Sequence, residues 1–216
     1  MTTALVIDTS LGACTAGIFR DGAVLAEASE IMVRGQQERL PVMVAELFGK
    51  AGVRPIDLTD IGVTLGPGSF TGLRVGLSFA KGMAAGLGLK LKGIGTLEAL
   101  ARHPALQSEI GLSTIDGGRG RIYVQRFSPE GVDEAVIVTS DSDMARLGHV
   151  QVLTGPAAKN LSGKFTSARI HEQDHPVTDA LYALTLMPGH DDVTPLYMRD
   201  ADAVVSTRGI IAPVTA

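Results

Sequence analysis

Three short runs in this 216-residue chain carry side chains able to do chemistry. The first is Asp8-Thr9-Ser10, a carboxylate and two hydroxyls directly after the apolar run 4–7. Such a trio at a strand-to-turn junction can bind phosphate, and it can equally satisfy the backbone groups of its own turn. Asp116-Gly117-Gly118 repeats the placement after a later apolar run and marks Asp116 as a counterpart. The second run is Gly66-Pro67-Gly68-Ser69-Phe70-Thr71-Gly72-Leu73-Arg74-Val75-Gly76. A glycine loop ahead of a helix can cradle an anion, because free N–H groups point at the ligand. It has neither the terminal Lys and Ser/Thr of a Walker loop nor the Rossmann spacing. The third, His171-Glu172-Gln173-Asp174-His175, matches the letters of the zinc-peptidase pattern H-E-x-x-H. That chemistry needs a helix, so that both imidazoles share one face. Pro176 disfavours helical geometry at His175, and His190 is no convincing third ligand, so chance is the better account and no metal is expected.

Composition narrows the classes further. Hydrophobic residues make up 45% and charged ones 19%, enough apolar matter for a sizeable core. Lys and Arg number 19 against 23 Asp and Glu, without the basic excess that nonspecific nucleic-acid binding requires. Aromatic residues at 4% make no stacking platform for single strands. Cys14 alone can form neither an internal disulfide nor a thiolate cage, and reads as a core residue. No apolar run approaches the roughly 20 residues of a membrane span, and the start lacks a signal-peptide pattern, so a cytoplasmic protein is expected.

The elements that must position these runs follow from periodicity and turn chemistry. Residues 4–8, 15–19 and 24–28 read as strands, the last two joined by the hairpin signal Asp21-Gly22. Leu40, Met43, Val44, Leu47 and Ala51 fall at helical spacing over 37–51, with Pro41 tolerable near the first turn and Gly52 as the stop. A strand at 61–65 precedes the glycine loop, and a helix capped by Ser69 covers 71–86. A strand at 91–94 and a helix at 96–101 complete an α/β unit with a mixed sheet. Strand-like runs return at 111–115, 122–127, 136–139 and 150–154, with a helix at 179–186, as a second, reduced half. The domains expected are 1–108 and 109–216, and the tail after Arg199 reads as poorly ordered.

The helix over 71–86 is apolar around too much of its circumference. Arg74, Ser78 and Lys81 form one narrow polar stripe, with Val75, Phe79 and Met83 on one side and Leu73, Leu77, Ala80 and Ala84 on the other. The apolar or small arc covers roughly 220°, about double what one buried face needs. Its interior glycines, Gly72, Gly76 and Gly82, each cost about 0.5–1 kcal/mol against Ala and suggest a backbone in close approach. The cover on the second side is either the 37–51 helix or a partner protein.

GPGSFTGLRVG strongly resembles the matching segment of the TsaB (YeaZ) family of tRNA threonylcarbamoyladenosine biosynthesis proteins. ALVIDTS at the start, Glu38-Arg39-Leu40-Pro41, Ile115-Asp116 with Ile122-Tyr123, and Pro195-Leu196-Tyr197-Met198-Arg199 occur in that family's order. The resemblance is close over 4–102 and patchy beyond. It implies the actin-like ATPase fold, two related subdomains each with a mixed sheet and flanking helices. It also implies a non-catalytic partner of the transferase TsaD in threonylcarbamoylation of the adenosine next to the anticodon, joined by the ATPase TsaE. The metal-binding His pair expected of TsaD itself is missing from the first half, and Gln36 stands where family members often have His.

On that resemblance the TsaD contact, or a homodimer when the chain is alone, would use Leu40, Val44, Leu47, Phe70, Gly72, Leu73, Val75, Gly76, Phe79 and Met83. Asp8, Thr9, Ser10 and Asp116 are the nucleotide-binding candidates. ATP or ADP would bind there or only in the complex with TsaD and TsaE. Contact with tRNA would be indirect, with Arg119 and Arg121 either reaching tRNA or the partner, or ending a solvated hairpin. The alternatives are an ATPase or small-molecule kinase of the same fold using Asp8 and, third, a zinc peptidase.

Overall fold

Residues 1–188 and 193–196 are described in the computed structural model of the chain, and they build two mixed sheets. The central strand of the first, β1 (Thr3–Asp8), is buried along its whole length because both faces of its sheet are covered. β2 (Ala13–Arg20) returns antiparallel beside it, and β3 (Ala23–Ile31) pairs antiparallel with β2. The two-residue turn between them is Asp21-Gly22, at φ 48° and 90°, the left-handed pair that a tight hairpin needs. After α1 (Gln36–Ala51), β4 (Asp60–Gly66) runs parallel to β1; after α2 (Phe70–Leu87), β5 (Leu91–Gly95) runs parallel to β4. The order is β3-β2-β1-β4-β5.

A short α3 (Thr96–Ala101) leads to the second sheet. There β6 (Gly111–Gly118), β7 (Arg121–Ser128), β8 (Gly131–Val132) and β9 (Val136–Val138) form an antiparallel meander, with β8 and β9 both on β7. After α4 (Asp141–Ala145), β10 (Val152–Thr154) lies parallel to β6; after α5 (Ala158–Leu161), β11 (Arg169–His171) lies parallel to β10. The order β8-β7-β6-β10-β11 reproduces that of the first sheet, strand for strand and direction for direction. Sequence periodicity missed β8, α4, α5 and β11, each five residues or fewer and too short to show a period.

α1 and α2 cover one face of the first sheet, burying Leu40, Met43, Leu47, Leu77 and Ala80 against Leu5, Ile7, Ile61 and Val63. The other face is covered from an unexpected source. The last helix, α6 (Thr178–Thr185), reads in sequence as part of the second half, yet it packs on β1, β4 and β5 of the first. Leu181 and Leu184 meet Val6, Phe19 and Ile94, and Tyr182 stacks on Phe19 with centroids 4.4 Å apart. A glycine at 62 permits this crossing, because a Cβ there would collide with the Thr185 hydroxyl. Among the described residues no helix is long and apolar enough to cross a membrane. His190, Tyr197, Met198, Arg199 and the tail beyond lie outside the described residues.

Candidate functional site

The turn after β1 ties together the candidate residues of the first half. Asp8 is fully buried at the end of the strand. Its Oδ1 accepts from the Ser10 amide (3.0 Å), the Ser10 hydroxyl (2.5 Å) and the Thr64 hydroxyl on β4 (2.7 Å). Its Oδ2 is buried with no partner. Burial pushes the Asp8 carboxyl above its ordinary value, opposed by those hydrogen bonds and by the charge of His175. A carboxylate half satisfied and half bare, out of contact with water, is unusual for a residue that only shapes a turn.

Thr9 explains the glycines of α2. Its hydroxyl donates to the Gly72 carbonyl at 2.7 Å and accepts from the Gly76 amide at 3.1 Å, so it inserts between a helical carbonyl and the amide four residues on. A Cβ at Gly72 would collide with the Thr9 carbonyl oxygen. Ser69 caps the helix as expected, its hydroxyl accepting from the Gly72 amide at 3.2 Å, while its own amide donates to the Ser10 carbonyl at 2.7 Å. The place an anion would take beside this glycine loop is therefore occupied by the chain's own Thr9 and Ser10.

That packing corrects part of the expected contact face. Gly72 does admit a close backbone, but it is the β1–β2 turn of the same chain, and at Gly76 a Cβ would meet the Thr9 side chain rather than a backbone; nothing lies within 4 Å of a Cβ at Gly82. Leu40, Val44 and Leu47 on α1, with Leu73 on α2, are buried as well, because the apolar stripe of each helix is what the sheet covers. Six of the ten expected contact residues are thus closed off within the single chain. The four left at the surface are Phe70, 53% exposed, and the half-buried Val75, Phe79 and Met83. Phe70 and Phe79 line an open groove of about 430 Å³ between the helices with Gln37, Pro41, Thr71, Arg74 and Ser78. The Arg74 guanidinium lies 3.7 Å above the Phe70 ring, a cation–π contact that holds the phenyl at the mouth. Sequence winding could not separate these four from the six, since both sets are apolar.

Other sequence candidates fall elsewhere. Asp116 lies two residues before the end of β6, whereas Asp8 ends β1; Asp116 is exposed, and it accepts from the Gly118 amide at 2.7 Å. Arg119 sits in the β6–β7 turn at φ 55°, and Arg121 opens β7. The H-E-x-x-H letters span a strand end and a turn. His171 leans on His103 with ring centroids 4.4 Å apart, Glu172 pairs with Lys159 at 2.9 Å, and His175 bonds to Ser29 at 2.9 Å. The three side chains point to three different places, and no group of three or more His, Cys, Asp or Glu suited to a metal occurs among the described residues. Leu196 donates its amide to the Leu65 carbonyl at 2.8 Å, which lays residues 193–196 beside the end of β4. Gln36 is buried, its amide nitrogen bonded to the Met32 carbonyl at 3.0 Å.

The tRNA N6-adenosine threonylcarbamoyltransferase (TsaD) family matches residues 28–178. The tRNA threonylcarbamoyladenosine biosynthesis protein TsaB of Escherichia coli is 33% identical over 121 residues, 55% of this chain and only 52% of that protein. TsaB of Bacillus subtilis is 27% identical over 210 residues, covering 97% of this chain and 79% of the relative. Among solved structures, YeaZ from Pseudomonas aeruginosa superposes with a TM-score of 0.69 at 20% identity, over 86% of this chain and 91% of that one. Two sheets of matching order with helices on their faces are the actin-like ATPase fold.

Proposed function

The chain belongs to the TsaD family, in which it sides with the TsaB (YeaZ) proteins, and from that premise we propose that it is a non-catalytic accessory subunit. It binds and activates a TsaD-type transferase that places threonylcarbamoyl on the adenosine next to the anticodon of tRNA. TsaE joins the assembly, and tRNA is met through the complex rather than by this chain. The observation that carries this reading is the surface between α1 and α2, where Phe70 stands at the mouth of an open groove. Large aromatics and arginines at well-packed centres supply most of an interface's binding energy. Helices of 16 and 18 residues offer a rigid platform for two helices of a partner, or for a second copy when the partner is absent.

A non-catalytic role is supported by the β1–β2 turn. Thr9 is spent on the α2 ladder and Asp8 Oδ1 on three donors, which leaves few groups to orient a nucleophile or a phosphate. Co-purification with a TsaD-type transferase tests the proposal: co-elution and transfer activity that needs both chains are expected. Transfer by the transferase alone at the same rate would overturn it.

One observation favours a second reading. The bare, buried Asp8 Oδ2 is the kind of group that would face a nucleotide-bound cation in an ATPase of this fold. ATP hydrolysis by the isolated chain that is lost in Asp8→Ala would establish that reading in place of the first.

A further inference from the structure

A cavity of about 220 Å³ lies between the end of α3, with the helical turn Pro104–Leu106 that follows it, and the hairpin from β7 to β8. Ala101, Leu106, Phe127 and Val132 give it an apolar floor, and they pack with Val152 as one small core cluster. Arg102, Gln107 and Ser128 are its polar lining. The Arg102 amide closes α3 on the Glu98 carbonyl at 3.0 Å, so the backbone there is satisfied. The side chain is not, for its Nε is buried and has no hydrogen-bond partner. Among the described residues no carboxylate pairs with it, whereas Arg39 is held by Glu30 and Glu46, Arg54 by Asp57 and Arg169 by Glu109. Glu130, in the hairpin beside the cavity, is held by Ser128 instead, a hydrogen bond that keeps its carboxyl below the usual value. A buried donor without an acceptor costs free energy, and this one calls for an acceptor from outside the chain.

We propose that this cavity is a binding site for a small aliphatic carboxylate, whose oxygens meet the Arg102 guanidinium and whose short apolar tail rests on Leu106, Phe127 and Val132. A guanidinium is a planar fork that matches a carboxylate with two parallel hydrogen bonds and never gives up its charge. Gln107 adds a side-chain amide to the same lining, able to donate to the second oxygen. Ser128, committed to Glu130, is no part of the anchor. The floor decides between anions. A bare phosphate would give up its hydration against phenyl and aliphatic surface without return, whereas a tail of a few carbons gains by leaving water. The volume decides the size, since cavities for drug-sized ligands begin at roughly 300 Å³ and this one is smaller. A peptide terminus presents the same headgroup, but the small cavity favours a free acid over a chain end.

Isovalerate, added to the full chain and followed by nitrogen NMR, tests the site. The Arg102 Nε–H resonance is expected to shift saturably, with half of the effect near ~1 mM. Isovaleramide has the shape without the charge, and inorganic phosphate the charge without the tail. Each is expected to bind about tenfold more weakly or worse. Arg102→Gln should weaken isovalerate by about tenfold or more, read at the Val132 methyl groups. If that variant does not fold, the three compounds compared on the natural chain carry the test by themselves. An Nε resonance that isovalerate leaves in place up to about 20 mM, or moves no more than isovaleramide or phosphate does, overturns the proposal. So does an affinity that Arg102→Gln leaves unchanged. Tighter binding of acetyl-leucine, which sets a peptide bond beside the carboxylate, would overturn the free acid in favour of a chain terminus.

Discussion

Asp8 at the end of β1 and Asp116 near the end of β6 lie on the first strands of two sheets built to the same order, yet they live in opposite surroundings. The Asp8 turn is folded down on an 18-residue helix, shielded from water, and holds three donors on one oxygen. The Asp116 turn stands in solvent and closes on a single amide. The same contrast extends to the helices: α1 and α2 have 16 and 18 residues, α4 and α5 have 5 and 4. The sheet order recurs in both halves, while long helices, close packing and a buried carboxyl are concentrated in one. The half that retains costly features is where function is to be sought, since a buried carboxylate with a bare oxygen does not help the fold.

The largest effect that bears on this contrast comes from the contact between the Asp8 turn and α2. Gly72→Ala forces a methyl group against the Thr9 carbonyl oxygen, a backbone atom with no flexible side chain to give way. A loss of about 3 kcal/mol in unfolding free energy is expected in urea melts. Stability unchanged by this substitution would mean that the turn does not rest on the helix at all. Gly76→Leu belongs to the same class, and is expected to break the monomer rather than merely its association with a partner.

Phe70→Ala comes next and acts on the open side of the same helix. It is expected to weaken capture of a TsaD-type partner by about 30-fold, the equivalent of ~2 kcal/mol at an interface anchor, and to leave the melting curve within about 0.5 kcal/mol. Unaltered affinity would move the docking face elsewhere.

Why sequence reading separated these two substitutions poorly is a matter of range. Local chemistry was plain: Asp21-Gly22 marked the hairpin, Ser69 the cap, and the Leu40, Met43, Val44, Leu47 spacing a helix with one covered face. The same spacing also says which residues share a face, but not what lies opposite. Thr9 is 63 residues from Gly72, so nothing in the helix itself reveals that its glycines receive a turn rather than a partner. The placement of α6 was hidden for the same reason, because an apolar face fits either sheet until Gly17 and Gly62 are seen beneath Thr178 and Thr185. Among the candidate site residues, Asp8, Thr9 and Ser10 were legible as a turn with chemistry, whereas His175 was visible only as part of a false zinc pattern.

A third substitution compares the two aspartates directly. Burial holds the Asp8 carboxyl above its unfolded value near 3.8, so the fold binds that proton more tightly than the open chain does. The stabilisation from it is complete below the ordinary carboxylate range and is lost as pH rises through the elevated folded value. Asp8→Asn should therefore flatten the decline in stability between pH 4 and neutrality, as read from urea midpoints across that range. Asp116→Ala should cost only about 0.5–1 kcal/mol, the worth of one exposed turn hydrogen bond.

The smallest effect is also the cleanest control on the first. Gly82 lies on α2 about 2.8 turns beyond Gly72, exposed, with nothing within 4 Å of where a Cβ would stand. The same replacement by Ala that wrecks the contact at Gly72 should here gain about 0.5–1 kcal/mol, because helix propensity is then the only change. Opposite signs for one substitution at two places on one helix would show that the glycines near its start serve the Asp8 turn. If Gly82→Ala also destabilised the isolated chain, a second surface would have to cover α2 in solution, and a self-associated form held through that face would be the first thing to look for by measuring mass against concentration.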